Sequence, residues 1–182
     1  FMQSMPFFGI IAISATFVVT LGEIDLSFPS IVGITSLTFG MLLTATDGNF
    51  FISFALSTAL GMFAGLVNGL LVTKIGIPSI VATIGTLFFW RGLVNVISQG
   101  SGIAIVDQAD GTWHHMIFVD KLFGTIPAQF IWFVALTGLM QWIYRYHKFG
   151  NHIHFVGDNK ASAQMMGIDV DKVKIIAFVQ LG

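Results

Sequence analysis

The fold class predicted from this sequence is all-α: a polytopic transmembrane helix bundle. Of 182 residues, 55% are hydrophobic and 9% charged, with a mean hydropathy of +0.86. A water-covered domain carries roughly 25% charge, so this chain cannot coat itself against water. The charges are also segregated. No Asp, Glu, Lys or Arg occurs from Phe1 to Gly22, Leu26 to Thr46, Gly48 to Thr73, Ile75 to Trp90 or Leu122 to Tyr144. A helix needs about 20 apolar residues to cross a bilayer core, and several such runs exclude a cleavable leader with its single short apolar core. The near balance of 8 basic and 9 acidic residues provides no field for nucleic acid. The absence of Cys removes disulfides, a thiolate nucleophile and sulfur-bound zinc.

Residues 1–182 read as one membrane domain with about five membrane segments, incomplete at both ends. The chain starts with Phe, and only eight uncharged residues follow Lys174. An internal piece of a longer polytopic protein is therefore expected.

The first interruption is Glu23-Ile24-Asp25-Leu26-Ser27-Phe28-Pro29, two carboxylates and a hydroxyl between two apolar runs. Pro29 removes a backbone donor and disfavours helix at Phe28. Two readings stand open. In one, a helix breaks within the membrane and lines a wet cavity, with Glu23, Asp25, Ser27 and Pro29 at the break or along a translocation path. In the other, the segment is an interfacial turn and Ser27 caps the next helix. Further on, Gly61, Gly65 and Gly69 form overlapping GxxxG steps that predict close approach of another helix, its identity open.

Arg91 follows Phe88-Phe89-Trp90 and can snorkel, lie on those rings or pair with a buried acid, snorkelling being preferred. Gly100-Ser101-Gly102 reads as a turn, lacking the spacing of a dinucleotide loop. His114, His115, His147, His152 and His154 read as solvated loop residues, and no metal site is expected. No GxxxxGK[ST] loop is present, so the chain has no visible means of binding ATP.

Between Arg145 and Lys174 the sequence turns polar. Asp158 and Asn159 are suited to helix N-caps, Lys160, Ala161, Ser162, Ala163, Gln164, Met165 and Met166 favour a short helix, and Gly167 is a natural stop. Its alanines and methionines suit either a protein partner or a lipid surface. Asp169 and Asp171 are placed to cap a following membrane helix beginning near Val173. Lys74, Arg145, Lys148, Lys160, Lys172 and Lys174 fall on one side of the predicted topology and Lys121 on the other. By the positive-inside rule, the stretch 145–174 is cytoplasmic and Asp107 to Lys121 is external.

Read in order, Gly22-Glu-Ile-Asp-Leu-Ser27, Asn68-Gly-Leu-Leu-Val-Thr-Lys74, Ile77-Pro-Ser-Ile-Val-Ala-Thr-Ile-Gly-Thr86 with Arg91-Gly92, Phe149-Gly150 through Val156-Gly157-Asp-Asn159, and Gly167-Ile-Asp-Val-Asp-Lys-Val173 resemble the ribose-type ABC transporter permeases. The resemblance covers nearly the whole chain. It implies a multi-pass permease subunit in a bacterial cytoplasmic (inner) membrane, part of an ATP-driven importer of a sugar, in the first instance a monosaccharide. The implied partners are ABC ATPase subunits, a second permease subunit in a homo- or heterodimer, and an extracellular or periplasmic sugar-binding protein. It also implies that Asp158 to Gly167 is the coupling helix seated on the ATPase. On this reading the chain is no enzyme and binds no cofactor, ATP being used by the partner. Many members of that family carry Gly where Glu23 stands. The alternatives are a permease for another small polar solute, and an ion-coupled secondary transporter using Glu23 or Asp25.

Overall fold

The computed structural model describes residues 5–103, 105, 111–122 and 126–182. In chain order the helices are α1 (Met5–Thr20), α2 (Phe28–Ala45), α3 (Phe50–Leu70), α4 (Ser79–Ser98), α5 (Trp113–Phe118), α6 (Ala128–Tyr146), α7 (Lys148–Asp158), α8 (Lys160–Met165) and α9 (Val170–Leu181). Helix α3 runs on into a π turn over Leu71–Ile75. Strands β1 (Lys121–Leu122) and β2 (Ile126–Pro127) form a small antiparallel hairpin before α6.

Among the described residues, three helices are long and apolar enough to cross a membrane: Phe28–Ala45, Phe50–Ile75 and Ser79–Ser98. Helix α1 is apolar but has 16 residues, and α6 has 19 with Gln129, Thr137, Gln141 and Arg145 along it. The run expected to span from Leu122 starts its helix only at Ala128, because Pro127 stands at the N-cap in extended conformation.

Two packed groups organise the bundle. One joins Phe17, Val18 and Leu21 of α1 to Ile153 and Val156 of α7, Ala163 of α8, and Val170, Val173, Ala177 and Phe178 of α9. The other joins Ile31 and Ile34 of α2, Ala64 of α3 and Trp90 of α4. The glycine stripe meets α9. A Cβ on Gly69 would stand 2.9 Å from the Ile175 Cα, and on Gly65 or Gly61 it would run into the carbonyl of Phe178 or Gly182. The absence of side chains there is what allows these two backbones to touch.

The stretch 145–174 is more structured than a loop with one short helix. Helix α7 buries Gly150, Ile153 and Val156, three residues apart, and the His147 Nδ1 caps it by accepting from the Phe149 N–H at 3.2 Å. Asp158 closes α7 instead of capping α8. Asn159 alone caps α8, its Oδ1 accepting from the Ser162 N–H at 3.0 Å. Gly167, at φ +78°, turns the chain out of α8. Helix α9 starts at Val170, three residues before the expected place. Asp169 caps it, accepting from the Lys172 N–H, while Asp171 pairs with Lys74 at 2.7 Å.

On the opposite end of the bundle, α5 is pinned by aromatic rings. Phe50 stacks on His114 at 4.9 Å and on Phe118 at 5.3 Å, and Phe118 stacks on Trp132 at 5.3 Å. His114 is therefore a buried packing residue and not the solvated one expected. Residues 107–110 of the expected external loop lie outside the described residues.

Candidate functional site

Residues 23–27 join the end of α1 to the start of α2 without regular secondary structure; the alternating burial of 23–26 is that of extended chain, while Ser27, at φ −84° and ψ −16°, is already helical. Burial alternates along them in the sense opposite to a soluble strand: Glu23, Asp25 and Ser27 point in, while Ile24 and Leu26 point out. Among the described residues no second strand pairs with this segment to take up its backbone donors. The Ile24 N–H bonds to the Ser79 hydroxyl at 3.1 Å, and the Leu26 N–H to that of Thr83 at 3.2 Å. Ser79 and Thr83 lie one turn apart on α4, so a helix face serves in place of a ladder partner.

Asp25 sits at the centre of a buried polar network. Its Oδ1 accepts from the Ser27 N–H at 2.7 Å and from the Ser27 hydroxyl at 2.6 Å, and its Oδ2 accepts from Asn68 at 3.1 Å. The Asn68 amide also donates to the Ser27 oxygen at 2.7 Å, and its carbonyl accepts from the Thr86 hydroxyl at 2.7 Å. Ser27 does not cap α2 with its side chain, because its hydroxyl is committed to Asp25. Pro29 occupies the first turn of α2, where its missing N–H has no helical acceptor to lose. In this arrangement Asp25, Ser27, Asn68 and Thr86 tie the extended segment to α3 and α4.

Glu23 faces the other way, towards α8 and α9. Its Oε1 accepts from Lys174 and lies 3.6 Å from Lys160. Lys174 and Glu23 are both buried, whereas the Lys160 side chain is 55% exposed. Burial pushes the Glu23 carboxyl up. Hydrogen bonds from Lys174 and the Ser79 hydroxyl, with the charges of Lys174 and Lys160, outweigh it and hold the group below its ordinary value. The same crowding holds Lys160 down, chiefly through the neighbouring Lys174 ammonium. Of the remaining expected site residues, Ala163 is buried while Lys160, Ala161, Ser162, Gln164, Met165 and Met166 stay exposed, Met165 at 88%. Gly61, Gly65 and Gly69 are buried against α9.

A cavity of about 870 Å³ lies among α1, α2, α3 and α9. Ser14, Thr35, Ser36, Ser57, Thr58 and Gln180 give it polar character, and among the described residues no Asp, Glu, Lys or Arg lines it. Thr35 and Ser57 spend their hydroxyl protons on the carbonyls of Ile31 and Ser53, so towards the cavity they offer lone pairs. The buried Gln180 Oε1 lacks a partner among the described residues. Thr35, Ser57 and Gln180 thus present acceptors within a lining that is otherwise largely apolar, from Ile10, Phe39, Phe54, Met62, Ile176 and Val179.

Sequence reasoning about the site named Asp25 and Ser27 but passed over Asn68, Ser79, Thr83 and Thr86 as site residues. A signal was present: hydroxyls at 79, 83 and 86 follow helical spacing through an otherwise apolar run. His152 and His154 bring no metal set with them; among the described residues no group of three or more metal-ligating side chains occurs. The ring of His154 instead stands edge-on to Tyr144 at 4.5 Å.

The chain is 34% identical over 169 residues to the autoinducer 2 import system permease protein LsrC of Photorhabdus luminescens, covering 93% of this chain and 49% of that protein. It is 35% identical over 173 residues to LsrC of Yersinia pseudotuberculosis (strain YPIII), covering 95% and 48% respectively. LsrC of Yersinia pestis bv. Antiqua (strain Angola) gives the same identity and coverage. The chain spans about half the length of the curated relatives it matches. No solved structure matches it. The family described as branched-chain amino acid transport system / permease component matches residues 1–182, and the chain belongs to that family.

Proposed function

We propose that this chain forms part of the membrane permease of an ATP-driven importer for a neutral, sugar-like solute. The observation that carries the substrate class is the cavity among α1, α2, α3 and α9, which presents acceptors and, among the described residues, no Asp, Glu, Lys or Arg. A free amino acid is a zwitterion, and burying its two charges without opposite charges in the wall is costly. A polyol instead donates its hydroxyls to Thr35, Ser57 and Gln180. The relatives named as autoinducer 2 import system permeases support the role in import.

In this reading the permease hydrolyses nothing and binds no cofactor; ATP is consumed by separate ATPase subunits. Helix α8 seats on them, its exposed Met165 and Met166 providing a pliable apolar contact. A second permease subunit and an external solute-binding protein complete the importer. The stretch 145–174 lies in the cytoplasm of a bacterium and the bundle in its inner membrane.

The test is uptake into proteoliposomes holding the full-length permease with its ATPases and binding protein. ATP-dependent accumulation of a labelled monosaccharide or related polyol is expected, with Gln180→Leu lowering its rate about tenfold through loss of one well-placed hydrogen bond. Accumulation of leucine or valine in place of polyols, or uptake driven by an ion gradient without ATP, would overturn the reading.

A further inference from the structure

We propose that the Glu23 carboxylate is the junction through which movement of α8 reaches the helices around the cavity. The inference rests on the functional reading above, in which α8 contacts the ATPase. Glu23 Oε1 is shared by Lys160, the first residue of α8, and Lys174 of α9. Two residues on, the same extended segment holds α3 through Asn68, and α4 through Ser79 and Thr83. Helix α9 in turn lies bare against the α3 glycines, and Gln180 and Gly182 near its end line the cavity.

A displacement of α8 that drags Lys160 therefore pulls on an oxygen belonging to both routes into the bundle. One route runs through the segment 23–27 to α2, α3 and α4, and the other through Lys174 along α9. Ala163 is the buried apolar residue of α8, fixed in the group around Phe17 and Phe178. An alanine methyl resists separation but carries no directional pull. The Lys160 ammonium, 3.6 Å from Glu23 Oε1, does, because opposite charges attract along the line that joins them. Glu23 acts as a positioning residue: it touches no solute and sets where the segment 23–27 sits.

Two variants of the full-length permease, assembled with its ATPases and binding protein, test this. Lys160→Gln removes an exposed charge with little effect on folding. The double change Glu23→Gln with Lys174→Met dissolves the buried pair without leaving an unpaired charge. Deuterium exchange of the peptide covering 21–27 is measured alongside the ATP hydrolysed per solute imported. We expect exchange at Ile24 and Leu26 to quicken about tenfold in the double variant, as for loss of one charge-assisted hydrogen bond. ATP hydrolysed per solute should rise by a similar factor in both variants while ATP turnover continues, a split that a merely structural role would not produce. Unchanged exchange in the double variant, or an unchanged ratio in both, overturns the proposal. If the unaltered assembly imports no polyol at all, the functional reading fails separately, and the exchange measurement alone decides whether Glu23 holds the segment.

Discussion

Glu23 and Lys160 show opposite balances of charge. The Glu23 carboxyl is held below its ordinary value, so its ionised form is favoured by folding. A depressed carboxyl contributes stability that is fully present above its unfolded value, about 4.3, and lost as pH falls through the lower folded value. The difference in melting temperature between the unaltered protein and Glu23→Gln should thus be constant from about pH 7 to about pH 5 and shrink below about pH 4. A thermal-shift titration in detergent measures it, and a difference still growing at the acid end would contradict the assignment. Lys160 is displaced the other way for a lysine, by Lys174 first, then by burial, with Glu23 compensating in part. Asp25 is a different case again: two donors from Ser27 meet its Oδ1 and one from Asn68 meets its Oδ2, so the carboxylate is spent mainly on holding the chain.

Among the elements, three helix starts fall at prolines, of which only Pro29 was read from the sequence as a break. Pro29 stands in the first turn of α2, Pro78 at the N-cap of α4 and Pro127 at that of α6, because proline tolerates a helix start and resists a helix interior. Helix α7 was harder to read, since His147, His152 and His154 resemble loop composition; only the spacing of Gly150, Ile153 and Val156 betrayed a buried face. The glycine stripe on α3 announced a close neighbour but could not name α9, a partner more than 100 residues away whose docking depends on tertiary packing. That contact can be tested by contrast. A methyl at Gly65 would strike the backbone of α9, whereas one at Gly85 of α4 meets nothing within 4 Å. Gly65→Ala should destabilise the extracted protein by about 1–3 kcal/mol, and Gly85→Ala should be neutral or stabilise by up to about 1 kcal/mol through helix propensity. Equal effects from the two in chemical denaturation would refute the α3–α9 packing.

At the scale of the molecule, the membrane character was plain from composition, while the polar network was not. Asn68, Thr83 and Thr86 each look like an isolated defect in an apolar helix until folding brings them to Asp25 and Ser27. Their pairing is set by how α2, α3 and α4 cross, which periodicity along one helix cannot specify. The proposed sidedness rests on the basic residues: Lys74, Lys160 and Lys174 gather at one end of the bundle, where Lys74 meets Asp171 and the other two meet Glu23. The aromatic group around Phe50 and Trp132 marks the other end. With a single cysteine placed at His115, an impermeant thiol reagent added to intact cells, or to spheroplasts where an outer membrane is present, should modify the protein without inner-membrane permeabilisation. Labelling only after permeabilisation would invert the orientation.

The extended segment fastened to α4 is a mismatch of two rulers. One turn from Ser79 to Thr83 advances about 6.0 Å along a helix, whereas the two residues from Ile24 to Leu26 advance about 6.6–6.8 Å along a strand. The rungs fall out of step by roughly 0.7 Å each, so two can be accommodated by bending but a third would be strained. The chain stops at two. The next rung would pair Phe28 with Leu87, which has no hydroxyl, and at Phe28 the backbone has already coiled into α2. The segment is therefore limited to its present length, and lengthening it would add slack without adding hold.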